Sequence, residues 1–445
     1  MFATRNMRTF TIIWAGQFVS LLGTAMTRFA LMIWAYQQTG EATTLALLGF
    51  FSFIFQIVLS PVAGVIVDRF DRRWIMLLTD LGSGLMTVIM LLLYASGGLQ
   101  IWHLYAAEAL TGAFETFQLP AYSAATTMLV PRQHFARASG MRSLALEASR
   151  VFAPFTAGFL LTLIDISGVM VIDVATFLVA MVTLLIVRIP RPPVTAEGRA
   201  AAGGWRQEVR YGFRYIFQRP GLAGLLAVMV GIHFFATLAY FSILPAMILA
   251  RTGNDQLVLA TVQSVMGIGG VIGGLLLSLW GGPKRQIHAI FAGTALSYLL
   301  GDLLFALGRG LEMWMIAGFC AAIFIPFISG ANRAIWQAKV APDVQGRVFA
   351  VQSMLQGAAM ALGYLVAGPL ADRVLEPAMQ PGGALAGVFG GLVGTGPGTG
   401  MALIFIITAT FGALIALSGY LVPALRNIET ELPDYDMLPV RSAVD

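Results

Sequence analysis

The chain has 445 residues, of which 58% are hydrophobic and only 11% charged, with a mean hydropathy of +0.80 and a formal net charge of +5. An ordinary soluble domain carries about 25% charged residues, so this chain lacks the polar surface to stay dissolved. The lone cysteine, Cys320, excludes a disulfide framework, and four scattered histidines (His103, His134, His233, His288) argue against a metal centre; neither metal nor cofactor is expected.

Apolar runs long enough to cross a hydrocarbon core of ~30 Å recur along the whole length. The first follows Arg5 and Arg8 and continues to about Tyr36. That is too long for the roughly 7–15 apolar residues of a cleavable signal, so it reads as a permanent helix. Spans are predicted at 10–36, 43–67, 74–96, 102–129, 140–164 and 168–188, then at 221–249, 257–280, 287–307, 312–338, 348–375 and 400–424. The predicted fold is an all-α integral membrane protein of about twelve transmembrane helices in two six-helix bundles, 1–188 and 221–425, with a tail at 426–445.

Between the bundles, 189–220 is polar and contains Pro190, Pro192 and Pro193. Its part from Trp205 to Phe217 puts Val209, Phe213 and Phe217 on one helical face and Arg206, Arg210 and Arg214 on another. That pattern predicts an amphipathic helix on a membrane surface. Of the 27 basic residues, 22 fall in alternate connections together with both termini, against three (Arg251, Arg309, Arg373) on the other side. The positive-inside rule therefore predicts cytoplasmic termini in a cell membrane. The net charge reflects loop topology and implies no nucleic-acid partner.

The halves repeat. A shift of 210 residues superposes Gly64 on Gly274, Ala121 on Ala331, Arg137 on Arg347, and Ala157-Gly158 on Ala367-Gly368. Parallel halves of this kind are a recurring transporter plan, with the substrate site at their interface. The repeat breaks at 380–399, a glycine-rich stretch read as a flexible outer loop.

After the second helix stands Gly64-Val-Ile-Val-Asp68-Arg69-Phe70-Asp71-Arg72-Arg73. This resembles the loop signature of the major facilitator superfamily, with Asp71 where the usual glycine precedes the basic pair. Gly64 permits close helix approach, and Asp68 at the membrane edge suits the positive N-terminus of another helix. The resemblance makes that partner the eleventh helix, near Arg347, and implies gating by Gly64, Asp68, Arg69, Arg72 and Arg73. The second half has Ser278 in place of Asp68, so only the first half is expected to supply an acidic latch. The fifth helix carries Ser149-Arg-Val-Phe-Ala153-Pro154-Phe-Thr-Ala157-Gly158, similar to a degenerate antiporter motif and adding Pro154 and Gly158 to the gate. Gly16-Gln17, Ser20, Pro120-Ala121, Asp173 and Glu429 are further features similar to the drug:proton antiporter branch of macrolide-efflux and enterobactin-export proteins. In the fourth helix, Glu108 replaces the arginine that many members carry four residues before Gly112.

Ionisable residues inside spans are functional candidates by default. Glu108 and Glu115, seven residues apart, share one face of the fourth helix. Counting residues from the helix ends matches Glu115 in depth with Arg150 and Glu108 with Arg28, and these pairs are expected. Glu147 and Arg150 also suit a local ion pair, Asp302 is a further proton-coupling candidate, and Asp80 and Asp173 are read as reaching the interface. The resemblance places helices one, four, seven and ten around a central cavity. Gln17, Phe18, Phe29, Phe114, Phe117, Phe234, Phe235, Tyr240 and Asn332 are the candidate substrate wall. The expected function is proton-coupled export of amphipathic small molecules by a monomer in the lipid bilayer. The alternatives are a proton-coupled importer, a lipid-flipping member of the same fold, or a membrane-embedded transferase, for which no catalytic cluster is visible.

Overall fold

The computed structural model describes residues 7–187, 205–341 and 344–434, with side chains except at 61–62, 64–65, 68–69, 132, 136 and 205–209. Its regular elements are all helical among the described residues. The first are α1 (Met7–Thr39), α2 (Ala42–Arg69), α3 (Arg72–Ala95) and α4 (Ile101–Leu129). Their ends follow local chemistry. Gly40 leaves α1 at φ +67, a conformation glycine adopts without a Cβ clash. Asp71 accepts from the Arg73 amide at 3.0 Å and so caps α3. The departure from the family's usual glycine at this position therefore supplies an N-cap.

The next helix, α5 (Phe135–Ile186), contains both the fifth and sixth predicted spans. They are joined at a single residue, Asp165, with φ 58 and ψ 177, where the sequence left 165–167 outside both spans. Asp165 accepts from the Tyr94 hydroxyl at 3.0 Å. The amphipathic α6 (Trp205–Phe217) forms as predicted. Its Ile216 is fully buried and Phe213 packs on the same core, while Phe217 stays exposed. The helix thus docks on protein, where the sequence suggested a membrane surface alone.

The remaining long helices are α7 (Pro220–Thr252), α8 (Gln256–Trp280), α9 (Gln286–Leu307), α10 (Leu311–Lys339) and α11 (Gln345–Met379). Three of them contain a π-helical stretch, at Thr237–Ile243, Tyr298–Asp302 and Leu370–Leu375. The glycine-rich 380–399 segment, read as flexible, contains a short helix, α12 (Ala386–Val393), closed by Gly394 at φ 87. The last long helix is α13 (Thr399–Leu421). Among the described residues, ten helices are long and apolar enough to cross a membrane. One of these is α5, which holds two spans. The 29-residue α4 falls outside the ten because Glu108, Glu115 and Gln118 lower its hydropathy. Counting both, the described residues supply the twelve spans of the sequence.

By internal packing the chain divides into two compact units. One comprises Met1–Arg199, Ser242–Gly267 and Ala367–Val374; the other comprises Ala200–Phe241, Ile268–Val366 and Leu375–Asp445. In the first, α1 lies along α5, with Phe10, Ile13, Met76 and Leu184 fully buried. In the second, Phe291, Phe305, Trp314, Trp336 and Phe405 form the bulk of the core.

The second unit also fastens its own C-terminal segment. The Glu429 carboxylate accepts from the Gln286 and Ile287 amides at 2.9 and 3.1 Å, capping α9. The buried Lys339 ammonium donates to the Glu429 and Leu432 carbonyls and pairs with Asp434 at 2.8 Å. Glu429→Ala is expected to cost about 0.5–2 kcal/mol of stability, read as a lower melting temperature of detergent-purified protein. Melting at the wild-type temperature would mean that water satisfies the α9 amides.

Candidate functional site

Two levels of polar residues run between α1 and α4. On α4, Glu108 and Glu115 are two turns apart, and Gln118 follows one turn later on the same side. On α1, Arg28 and Gln17 are eleven residues apart, which is close to three whole turns and about 16 Å. At one level the Arg28 guanidinium lies 2.9 Å from Glu115 and 3.5 Å from Glu108. Arg28 and Glu115 are about a third exposed, at 35% and 36%, so the cluster is neither sealed in packing nor fully solvated.

Arg28 thus serves both acids, and the expected pairing of Glu115 with Arg150 is corrected. Arg150 bonds Glu147 at 3.3 Å and is 73% exposed, so the local pair is the one present. Matching depths fixed the height of each residue but not its direction around the helix.

At the second level Gln17 donates to Asp80 at 2.7 Å, while Gln118 donates to both Asp80 and the Gln17 side-chain oxygen. Asp80 therefore turns into the helix packing, whereas the sequence placed it at the interface. Asp173 is corrected in the same way. It is 1% exposed and accepts from the Thr24 and Thr87 hydroxyls at 3.1 and 3.0 Å.

The second unit has a comparable arrangement at Asp302, which is fully buried. Its two oxygens accept from the Tyr240 and Thr408 hydroxyls. Tyr240 and Asp302 each lie on a π-helical stretch, a local widening that recurs at functional positions. Among the described residues no basic side chain pairs with Asp302.

The other wall candidates differ in placement. Phe18 stacks on Trp14 with centroids 5.6 Å apart, and Phe114 lies against Gly82 of α3. Phe29 is buried at 5% exposure, and Phe117 packs on the core around Phe10. Phe234 and Phe235 meet edge to face, Phe235 also stacking on Phe411, and Asn332 accepts from the Trp336 indole at 3.1 Å.

Residues 13–364 match the Major Facilitator Superfamily. The chain belongs to that superfamily, and its fold is that of a transporter. Among its relatives, Macrolide efflux protein A of Streptococcus pyogenes is 27% identical over 369 residues, covering 82% of this chain and 90% of that protein. Enterobactin exporter EntS of Shigella flexneri is 24% identical over 267 residues, covering 59% of this chain and 60% of that protein. A bacterial homolog of the human lysosomal transporter Spinster, solved inward-facing and occupied, shares the fold with a TM-score of 0.67. It is 16% identical, with 94% of this chain and 97% of that chain covered.

Within the superfamily's signature loop, the side chains of Gly64, Asp68 and Arg69 lie outside the described ones. Arg72 opens α3. Arg73 donates to the Leu184 and Leu185 carbonyls at 3.1 and 2.6 Å, satisfying the C-terminal end of α5. Pro154 lies inside the first arm of α5, and a Cβ on Gly158 would stand 2.6 Å from the Ala260 Cβ of α8. The antiporter-like motif is therefore the contact face of α5 on α8, reinforced by Ser264 donating to the Val151 carbonyl at 2.9 Å.

Sequence reasoning missed Gln118, Thr24, Thr87 and Thr408. Gln118 was legible as the next residue on the Glu115 face; hydroxyls in membrane helices carry no comparable signal. Arg28→Met leaves two carboxylates facing one another without their cation. It is expected to cost about 1–3 kcal/mol, between the surface and buried limits for ion pairs. Arg150→Met is expected to change stability by less than about 0.5 kcal/mol. Thermal unfolding of both variants in detergent checks the contrast.

Proposed function

We propose that this chain is a proton-coupled exporter of amphipathic small molecules, working by alternating access. In this reading two bundles, 1–188 and 221–425, rock about a central site and are joined by the linker 189–220. The chain sits as a monomer in the cell membrane with both termini cytoplasmic. Relatives named for macrolide efflux and enterobactin export support the outward direction and a bulky amphipathic substrate.

The observation that carries proton coupling is the shared guanidinium. Arg28 faces two carboxylates, and the buried Asp173 is close enough to act on it as well, so negative charge is in excess of the one cation. Dehydration penalises net charge and hydration relieves it. A change in water access around α1 and α4 would therefore alter how well the cluster tolerates its excess charge, which is what coupling to protons requires. Because both acids lean on one cation, a change at either disturbs the same cluster. The uncompensated Asp302 remains the candidate in the second bundle should the first prove inert.

Proteoliposomes with an imposed pH gradient test this reading, using a macrolide as substrate. Glu115→Gln and Glu108→Gln are each expected to keep substrate affinity within about threefold, less than ~1 kcal/mol, and to abolish gradient-driven accumulation. Equal loss from both replaces the graded effect that separate pairs would give. Glu147→Gln is expected to transport like wild type. Accumulation by Glu115→Gln at the wild-type rate would remove the cluster from coupling. Movement of substrate with the proton, and not against it, would make the protein an importer.

A companion prediction concerns the signature loop. Asp68→Asn removes an anion expected to face the start of α11, an interaction worth about 0.3–2 kcal/mol. Transport should slow while intrinsic substrate affinity stays unchanged. Loss of affinity with unchanged conformational populations would take Asp68 out of the gate.

A further inference from the structure

The start of α2 is capped by a residue more than 300 positions away. Glu41 occupies its N-cap position but makes no side-chain cap. The Asp372 carboxylate does so instead, accepting from the Ala42 amide at 3.0 Å, the Thr43 amide at 2.7 Å and the Thr43 hydroxyl at 2.6 Å. Two of the orphan amides of a 28-residue helix are thereby satisfied by an anion where the helix dipole favours one. The backbones approach closely here. A Cβ on Gly368 would collide with the Thr43 Cα. Ala42 is fully buried and Thr44 nearly so, at 3%.

The sequence around Asp372 repeats the spacing of the signature loop. Gly368-Pro-Leu-Ala-Asp372-Arg373 matches Gly64-Val-Ile-Val-Asp68-Arg69 in its glycine, its aspartate four residues later and its arginine. The repeat of 210 residues does not relate the two, since it places Ser278 at Asp68. One copy closes α2, and the other lies near the end of α11. At ~1.5 Å per residue α2 is about 42 Å long, so its two ends lie at opposite faces of a membrane.

We propose that Asp372 is a second latch, holding the start of α2 against the end of α11 at the face opposite the Asp68 loop. The two helices then carry one latch each, and each aspartate serves the other helix's N-terminus. A helix pair with such fasteners at both ends favours one closed end at a time, which is the constraint alternating access imposes. The Asp372 latch is closed in this structure. Asp372 acts as a positioning residue and touches no substrate. This inference rests on the rocking-bundle reading above but is independent of substrate and of proton coupling.

Spin-label distances test it without any transport assay. Labels at Glu41→Cys and Val374→Cys, in a Cys320→Ser background, report the latch end; labels at Phe70→Cys and Gly346→Cys report the other. In lipid nanodiscs without substrate, Asp372→Asn is expected to raise the population with separated Glu41 and Val374 labels roughly 2- to 30-fold. The Phe70–Gly346 pair should move closer in step. Thr43→Val keeps both backbone hydrogen bonds and should give a smaller shift in the same direction, guarding against a folding defect in the aspartate variant. Asp68→Asn should shift both pairs the opposite way. Distance distributions unchanged at Glu41–Val374 in both Asp372→Asn and Thr43→Val would overturn the latch. Were the protein to import its substrate, the same shifts would still be expected.

Discussion

A helix leaves four amide groups without partners at its start, and where that end is packed against protein, water cannot serve them. Much of the architecture is an answer to that constraint. Asp71 caps its own helix, α3. Glu429 caps α9 from the C-terminal segment, and Glu376 accepts from the Gly398 and Met401 amides at the start of α13. Asp372 caps α2. Arg73 answers the reverse problem, the unpaired carbonyls at the end of α5. A chain with only 22 acidic residues thus commits several of them to helix ends. Caps drawn from another helix fix which ends meet, so the same hydrogen bonds set both stability and the pairing of helix ends.

Inside the spans the problem is different, because a carboxylate there needs either a cation or several donors. Both solutions occur. Glu108 and Glu115 share Arg28, whereas Asp80, Asp173 and Asp302 rely on neutral amides or hydroxyls. The hydroxyl-held acids are buried and the shared-cation cluster is partly open. Exposure therefore separates the cluster held by a cation from the acids held by hydroxyls.

The fold was legible because hydrocarbon thickness and apolar run length are tightly linked; the predicted spans lie in helices at their expected places, and 74–96, 168–188 and 400–424 run slightly past helix ends at Ala95, Ile186 and Leu421. Less was legible where one residue decides geometry. Asp165 joins two spans directly, and a non-glycine at positive φ leaves no composition signal. Arg28 was read as the partner of Glu108 but not of Glu115, since depth is a one-dimensional measure and ion pairing depends on the angle around the helix. Asp71 was visible as a departure from the family pattern, yet its capping role needed the backbone. Asp372 went unnoticed because the 210-residue repeat directs attention to Ser278.

The Asp165 junction has a mechanical consequence. Its strained backbone and its hydrogen bond to Tyr94 join the two arms of α5 without slack. The first arm is pressed onto α8 at Gly158, and the second lies along α1, the helix that carries Arg28. A force on the first arm at Gly158 would therefore pass to α1 as through a cranked shaft, with no loop to absorb it. A hinge softened at that elbow would let the shaft turn at one end while the charged helix stayed still.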